Sequence, residues 1–249
     1  MLVKKENKHY DSDQPLSGMI NEILGNLYHL YSDPRISEDL AKYMEMVLEY
    51  NKIHNLTSIT DTEEFIFKHI LDSLLPINLI KNTNKCLDIG CGAGFPSVPL
   101  AIVNRNLNIT ALDSVKKKTD FVEMVKKELK LDNLTVINTR LEDYARTEAR
   151  ESYDIILSRA VAPLNVITEY SAPMLKNNGM IFAYKGVNYQ QEVNVAKRAF
   201  RLLDCDVEDI AEFYIDELET NRYVIIIKKK STIISKYPRK QNKPRLKPL

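Results

Sequence analysis

The chain has 249 residues, of which 44% are hydrophobic and 28% charged, and its formal net charge is +1. This composition is typical of a soluble globular protein with one large domain and a smaller appendage. No apolar run is long enough for a membrane span, and the basic start lacks the apolar segment of a secretory signal. The three cysteines, Cys86, Cys91 and Cys205, have no metal-binding spacing. We therefore expect reduced thiols, no metal, no membrane contact and a cytoplasmic location.

The first third of the chain has helical periodicity. Between residues 14 and 81 apolar side chains recur at intervals of three and four, as from Leu40 to Tyr50. Thr60, followed three residues later by Glu63, has the pattern of a capping box and predicts a helix start. We predict a small all-helical N-terminal extension over residues 1–82.

From residue 85 onward, short apolar segments alternate with helical ones. The segments KCLDIG, NITALD, LTVIN, YDIILSR and GMIFAYK predict parallel strands, and the β-branched NRYVIIIKK predicts a strand that closes the sheet. The segment DCDVEDIAEFYI is its expected partner in a hairpin or crossing segment. This pattern indicates an α/β fold, a mostly parallel seven-stranded sheet flanked by helices, over residues 83–230.

The C-terminal tail, residues 231–249, is predicted to be flexible. The last 22 residues contain seven Lys, two Arg and no acidic residue. Such a segment can neutralise nucleic-acid phosphates, or it can be a solvated chain end. Both interpretations stay open from the charge alone.

A glycine-rich loop follows the first predicted strand, in the stretch CLDIGCGAGFPS. Glycine lets a ligand approach the backbone where any Cβ would block it. A dinucleotide loop would need glycine at Phe95, and a P-loop would need Gly-Lys-Ser/Thr, and neither is present. The pattern resembles the first motif of class I S-adenosylmethionine methyltransferases, with a Rossmann-like fold, although a turn without ligand is the alternative. The cofactor-binding residues predicted here are Asp88, Gly90, Gly92 and Gly94.

The second predicted strand ends in an acidic residue, Asp113, which lies 23 residues after Gly90. An acid at this position accepts hydrogen bonds from ribose hydroxyl groups in nucleotide-binding α/β folds. Its alternative role is the N-cap of the next helix. The stretch from Thr139 to Asp143, after the third strand, is the expected adenine contact of this architecture.

Several further segments resemble one family. NLTSITD, HILDSLLP, LDIGCGAGFPSVPLAI, ALDSVKKK, SRAVAPL, YKG and the tail pattern YPRK…KPL are similar to the RsmG (GidB) family of bacterial 16S ribosomal RNA methyltransferases. The resemblance runs from about residue 38 to the C-terminus. It implies methylation of guanine N7 in the 530 loop of 16S rRNA, with S-adenosylmethionine as the methyl donor. The implied partner is 16S rRNA in the 30S subunit or an assembly intermediate.

The resemblance also implies particular site residues. The cofactor contacts carried over are Gly90, Phe95, Asp113, Leu141, Glu142 and Arg159. Two departures from the family pattern occur: Ser97 stands where glycine is common, and Asn138-Thr139 precedes Arg140 where a His-Gly pair is frequent. Both positions flank the expected cofactor site rather than forming its centre, so they concern the local loop geometry more than the activity.

The residues after the fourth strand narrow the substrate class. Methylation of an exocyclic amine uses an Asn/Asp-Pro-Pro-aromatic motif, but the chain has Ser158-Arg159-Ala160-Val161 there. Methylation of pyrimidine C5 requires a cysteine nucleophile, and no cysteine lies near that strand. Guanine N7 has a lone pair and no proton, so its methylation needs alignment rather than a base.

Two basic residues are the predicted catalytic groups. Arg159 can bind a carboxylate or guanine O6, with an ion pair to a nearby acid as its alternative. Lys185 is expected to contact RNA backbone. Asn55, His69 and Asp72 could either lock the helices onto the sheet or act in function.

Three functional hypotheses follow. The first is the rRNA guanine-N7 methyltransferase, and the second is a class I methyltransferase for another RNA, a protein or a small molecule. The third is a noncatalytic RNA-binding module. The sequence leaves the oligomeric state open, with a monomer as the expectation.

Overall fold

The computed structural model describes residues 15–27, 33–81, 85–215 and 218–249. They contain a seven-stranded sheet in the order β3-β2-β1-β4-β5-β7-β6, in which β1 to β5 are parallel and β7 is antiparallel to both neighbours. The strands are β1 (Lys85–Ile89), β2 (Asn108–Asp113), β3 (Leu134–Asn138), β4 (Tyr153–Arg159), β5 (Leu175–Lys185), β6 (Cys205–Ile215) and β7 (Thr220–Lys229). The predicted mostly parallel, seven-stranded α/β fold is confirmed, and β5 begins before the predicted segment.

Helices cover both faces of the sheet. They are α1 (Leu16–Leu27), α2 (Pro34–His54), α3 (Thr62–Phe65), α4 (Asp72–Leu74), α5 (Ser97–Val103), α6 (Lys116–Glu128), α7 (Leu141–Tyr144), α8 (Leu164–Ser171), α9 (Tyr189–Leu202) and α10 (Lys243–Leu246). One hydrophobic core joins α1, α2, α5 and α6 to one sheet face, and a second joins α8 and α9 to the other. Burial on both faces explains why the central strands are continuous apolar runs. Within the described ranges, no helix is long and apolar enough to cross a membrane.

The strand order reverses at β1, and this reversal positions the site. β1 pairs with β2 on one side and with β4 on the other. The connections from β1 and β4 therefore leave toward opposite sides of the sheet, and their carboxyl ends border a crevice. The glycine-rich loop after β1 lies at this crevice.

The helix predicted to begin at Thr60 begins slightly later. Its N-cap is Asp61, whose Oδ1 accepts the Glu64 backbone N–H at 2.9 Å, so Thr60 as the cap was wrong by one residue. A carboxylate there also interacts favourably with the helix dipole. The helix then widens into a π-helical segment, Ile66–Leu71, before α4.

The N-terminal helices are joined to the sheet by buried hydrogen bonds as well as by apolar packing. The Tyr43 hydroxyl on α2 donates to the Ala93 carbonyl of the glycine-rich loop at 2.8 Å. The Tyr184 hydroxyl on β5 donates to the Ser73 carbonyl of α4 at 2.9 Å. Both hydroxyl groups are satisfied in the interior, so these bonds fix the helices relative to the loop. The proposed division at residues 82 and 230 stays a prediction.

The C-terminal tail departs from the prediction of flexibility, because it packs against the domain. Ile233 and Tyr237 are buried in the second core. Arg239 donates from Nε and Nη2 to the two carboxylate oxygens of Glu169 on α8, at 2.8 and 2.6 Å. Glu169 is completely buried and needs a cation that covers both oxygens, which a guanidinium does. Charge counting could not show this partner.

Candidate active site

A cavity of about 490 Å³ opens at the carboxyl edge of the sheet. Four of the nine predicted cofactor residues line it, namely Gly90, Asp113, Leu141 and Glu142. They lie at the ends of three adjacent strands, β1, β2 and β3, or shortly after them, which explains how residues distant in sequence converge. Small-molecule sites commonly have volumes of roughly 300–1,000 Å³. The cavity is therefore large enough for a nucleoside-containing ligand.

The three loop glycines are required for three different reasons. All have positive φ: +68° at Gly90, +57° at Gly92 and +102° at Gly94. A Cβ at Gly90 would lie 3.0 Å from Val161, and one at Gly94 would lie 2.5 Å from Val98. A Cβ at Gly92 would have no heavy atom within 4 Å among the described residues. Gly94 thus permits the packing of Val98, and Gly90 permits the close approach of Val161 at the edge of the cavity. Gly92 has open space beside its backbone, and its positive φ favours glycine.

Asp113 connects the first two strand ends. Its Oδ2 accepts the Gly92 backbone N–H at 3.0 Å, and its Oδ1 accepts the Val115 N–H at 2.9 Å. The N-cap of α6 is Val115, so the alternative role of Asp113 as that cap is not observed. The carboxylate lines the cavity, and each oxygen keeps a second lone pair for a further donor.

Asp88 lies beneath the glycine-rich loop and does not line the cavity. Its Oδ2 accepts the Ser97 backbone N–H at 3.2 Å, and its Oδ1 has no hydrogen-bond partner among the described residues. Burial raises the pKa of Asp88 to about 7. Ser97, where the related family commonly has glycine, is fully buried and donates this bond from its backbone N–H.

We predict that Asp88→Asn changes the pH dependence of stability. The pKa of Asp88 is about 7 in the folded protein and 3.8 when unperturbed, so the folded state holds this proton more tightly. Its stabilising contribution is present below about pH 4 and is lost as the pH rises through about 7. The variant should therefore gain stability relative to the wild type between about pH 5 and pH 8, measured by urea unfolding.

The control for this prediction is the same substitution at Asp132, which is exposed. The difference in unfolding free energy between Asp132→Asn and the wild type should be the same at about pH 5 and at about pH 8. An Asp88→Asn variant that differs from the wild type by the same amount at both pH values would contradict the assignment.

Arg159 is held by the N-terminal helices. Its Nε donates to Asp72 Oδ2 at 2.6 Å, and its Nη2 donates to the Lys68 carbonyl and to His69 Nδ1. Arg222 on β7 also pairs with Asp72, with Nε 3.2 Å from Oδ1. The ion pair considered as an alternative is thus present, but it is buried rather than superficial.

His69 connects this arginine to the glycine-rich loop. Its ring stacks on Phe95 with centroids 4.4 Å apart, and its Nε2 lies 2.7 Å from Thr57 Oγ1. Burial, followed by the nearby Arg159 charge, lowers the pKa of His69 to about 4. The neutral ring accepts from Arg159 at Nδ1 and donates from Nε2 to Thr57. π-Helical turns often occur at functional sites, and this one carries both His69 and the Lys68 carbonyl.

Asn55, His69 and Asp72, for which the sequence allowed either a packing role or a functional role, all have structural roles or partners within the protein. Asn55 is the C-cap of α2 with φ of 49°, a conformation that asparagine tolerates. His69 and Asp72 bind Arg159, as described above. The helices therefore determine where Arg159 and Phe95 lie, although neither of these two residues lines the cavity.

Lys185 also has partners within the protein. Its Nζ lies 2.7 Å from Glu192 Oε2 and donates to the Ala162 carbonyl at 2.9 Å. Glu192 accepts the Leu164 backbone N–H as well, at 3.1 Å. These bonds support the loop after β4, and an RNA contact by Lys185 stays a prediction.

Other cavity residues were not predicted as site residues. They are Leu112, Ser114, Val115, Lys118, Ala160, Val161, Tyr170, Asn242 and Arg245, whereas Thr139 and Arg140 belong to the stretch expected to contact adenine. Most adjoin predicted positions at the strand ends. Tyr170, Asn242 and Arg245 do not, because packing of α8 and the tail places them there. The tail motif YPRK…KPL was the available signal, but its charge alone left an RNA contact and a solvated end both open.

The three cysteines are all buried thiols. Burial raises the pKa of Cys86 and of Cys205 to about 12, and raises that of Cys91 well above its usual value. A thiol rather than a thiolate is a poor nucleophile. The geometry thus argues against a covalent cysteine mechanism.

Comparison with known proteins decides the family. The family model described as "rRNA small subunit methyltransferase G" (GidB) matches residues 36–222. The chain belongs to the rRNA small subunit methyltransferase G family. Proteins with this name from Desulfitobacterium hafniense and Fusobacterium nucleatum are 40% and 44% identical. The alignments cover 92% and 88% of this chain, and 97% and 94% of those proteins.

Solved structures that resemble this methyltransferase G family member share its fold at low sequence identity. An O-methyltransferase from Bacillus cereus in complex with SAH has a TM-score of 0.54 at 14% identity, over 85% of this chain and 97% of that chain. A putative S-adenosyl-L-methionine-dependent methyltransferase from Methanococcus maripaludis has a TM-score of 0.51 at 16% identity, over 78% and 94%. The class I methyltransferase fold is therefore confirmed.

Proposed function

We propose that this member of the methyltransferase G family uses S-adenosylmethionine to methylate N7 of a guanine in the 530 loop of 16S rRNA. The observation that carries the proposal is the convergence of Gly90, Asp113, Leu141 and Glu142 on one cavity at the carboxyl edge of the sheet. The curated relatives named ribosomal RNA small subunit methyltransferase G support the substrate class. A cytoplasmic protein that acts on the 30S subunit or an assembly intermediate fits this substrate.

The residues of the cavity fit this cofactor. The backbone of Gly90 lines the cavity, and the open space beside Gly92 provides room along the loop for the amino-acid part. Asp113 has lone pairs for the ribose hydroxyl groups, and the region of Leu141 and Glu142 is suited to adenine. When bound, S-adenosylmethionine supplies an electrophilic methyl group on a sulfonium.

Catalysis would then rest on positioning. Guanine N7 has no proton to remove, so no side chain of the cavity has to act as a base, and the buried thiols are not required. Asp88 holds the end of the glycine-rich loop by accepting the Ser97 backbone N–H. Lys185 holds the loop after β4 by donating to the Ala162 carbonyl. Fixed walls favour a linear approach of the nucleophile, which contributes several kcal/mol in well-oriented reactions. Arg159 has two roles open to it in this scheme. It can fix the N-terminal helices next to the site through Nε and Nη2, or it can contact the substrate through Nη1.

Charge supports an RNA substrate. Lys118, Arg140 and Arg245 border the cavity, and the tail to which Arg245 belongs is rich in lysine. Cations around an opening attract the phosphate backbone and make affinity depend on salt. Specificity for one guanine in a folded RNA requires recognition of RNA shape as well.

The decisive experiment supplies the purified protein with tritiated S-adenosylmethionine and either 30S subunits, deproteinised 16S rRNA or total protein. We expect label in the RNA, and mass spectrometry of nuclease fragments should locate 7-methylguanine in the 530 loop. Label on another nucleotide would refute the assignment of the 530-loop guanine as the methylated base. Label only on protein would establish the second functional hypothesis, and the absence of cofactor binding in calorimetry would favour the noncatalytic RNA-binding module.

A further inference from the structure

We propose that two residues of the C-terminal tail, Asn242 and Arg245, clasp the two walls of the cavity and thereby hold it in the form that binds the adenosine part of the cofactor. We name this pair the C-terminal clasp. The identity of the ligand rests on the proposed function. The clasp itself rests on contacts between the tail and the two walls.

The tail segment before the clasp is anchored, so it can position the clasp residues. Arg239 is bound through its guanidinium and its backbone N–H to the completely buried Glu169. Arg146 donates to the Pro238 carbonyl at 2.6 Å, and Arg150 donates to the Tyr237 carbonyl at 3.1 Å. Charge-assisted hydrogen bonds to the buried carboxylate and to the two carbonyl groups thus fix the backbone of residues 237–239.

The first wall is the adenine side, formed by the start of α7. The Asn242 backbone N–H donates to Glu142 Oε1 at 3.0 Å, and the Asn242 side-chain oxygen accepts from the Tyr170 hydroxyl at 3.1 Å. Asn242 has φ of 56°, a conformation that asparagine adopts more readily than most residues. The clasp therefore orients the Glu142 carboxylate, which is only 7% exposed.

The second wall is the loop after β4. The Arg245 Nη2 donates to the Val161 carbonyl at 3.2 Å. Val161 in turn packs closely over Gly90, because a Cβ added at Gly90 would lie 3.0 Å from Val161 Cγ2. Arg245 thus acts through Val161 on the width of the cavity beside the glycine-rich loop. Both clasp residues line the cavity themselves.

When the cavity walls are already ordered in the ligand-free protein, less free energy is spent on ordering them when the ligand binds. Loss of one clasp bond should consequently weaken cofactor binding more than it weakens the fold, because the anchor at Arg239 is preserved. This distinction separates a positioning residue from one that only stabilises the protein. It also separates the clasp from an RNA contact, which would leave cofactor affinity unchanged.

The test compares Arg245→Ala with Lys243→Ala, which removes the same charge from a side chain that does not line the cavity. Affinity for S-adenosylhomocysteine is measured by calorimetry, and the Tm of the ligand-free protein is measured in parallel. We expect Arg245→Ala to weaken binding about tenfold, as for one lost charge-assisted hydrogen bond. Lys243→Ala should bind like the wild type, Arg245→Lys should recover part of the loss, and all Tm values should agree closely.

A second variant ends the chain after Arg239, which keeps the anchor and removes both clasp residues. It should bind S-adenosylhomocysteine more weakly than Arg245→Ala does. Hydrogen–deuterium exchange of the ligand-free protein should become faster in residues 141–146 and 159–164. This exchange measurement tests the clasp even if the wild type binds no S-adenosylhomocysteine, an outcome that would refute the proposed function alone.

Two results would overturn the clasp. One is equal S-adenosylhomocysteine affinity in Arg245→Ala, Lys243→Ala and the wild type, with KM for RNA raised only in Arg245→Ala. The other is unchanged exchange of both walls in the shortened chain. Either result would make the tail an RNA contact or a passive cover.

Discussion

Gly90→Val should abolish binding of S-adenosylmethionine while the protein remains folded. Gly90 has φ of +68°, and its Cβ would lie 3.0 Å from Val161 Cγ2. A β-branched residue in this conformation is strained by at least about 1–2 kcal/mol. Its two methyl groups would also occupy the approach to the backbone at the edge of the cavity. Together these effects should lower affinity by more than about a hundredfold.

Calorimetry with S-adenosylhomocysteine measures this loss, and circular dichroism establishes that the fold is retained. The matched control is Gly25→Val in α1, where the φ is not positive and a Cβ would meet no heavy atom within 4 Å among the described residues. That variant should bind like the wild type. Gly90→Ala should lie between the two, because its single methyl group strains the backbone and displaces Val161 but is smaller than the side chain of valine. Wild-type affinity in folded Gly90→Val would refute the assignment of the loop.

Asp72→Ala should strongly destabilise the protein at the boundary between the helices and the sheet. The side chain of Asp72 is 9% exposed, and those of its partners Arg159 and Arg222 are 15% and 27% exposed. Removing the carboxylate leaves two guanidinium groups close together with little access to water. Breaking a buried pair in this way costs about 3 kcal/mol or more. For a protein of this size, the Tm should fall by roughly 6–12 °C.

Thermal and urea unfolding measure this change, with Asp120→Ala as the control. Asp120 pairs with Lys116 at 2.8 Å on an exposed face of α6, and its loss should cost less than about 1 kcal/mol. The double variant Asp72→Ala/Arg159→Ala should be less destabilised than the sum of the single variants, because it removes both the charge and its partner. Equal stability of Asp72→Ala and Asp120→Ala would show that the buried network contributes nothing measurable.

The sheet could be predicted from the sequence because its signal is local. Each strand is a short apolar run between turn-forming residues, and burial on both faces requires this pattern wherever the strand lies in the sheet. The same holds for Gly90, which directly follows β1, and for Asp113, which is the last residue of β2. The boundaries were less certain, since Thr60 and Asp61 are both good capping residues and only the helix geometry distinguishes them.

The partners of charged residues could not be predicted, because they depend on which elements meet. Arg159 could have faced a ligand, solvent or any nearby acid, and it binds Asp72, which lies 87 residues earlier. Lys185 was expected to contact RNA backbone, and its charge alone did not indicate the ion pair with Glu192 that it makes within the protein. A formal charge gives no direction for a long side chain, so its role depends on the neighbours that packing supplies.

The order of residues along the chain was enough to predict the α/β class, the strand positions, the glycine-rich loop and the resemblance to the family. These properties depend on residue types at short spacing, which local backbone preferences and burial translate directly into structure. Only the tertiary structure decided that the helices hold Arg159 and that the basic tail is packed rather than free. The physical reason is that buried Glu169 and the two walls of the cavity offer partners whose positions arise from contacts more than 60 residues apart along the chain.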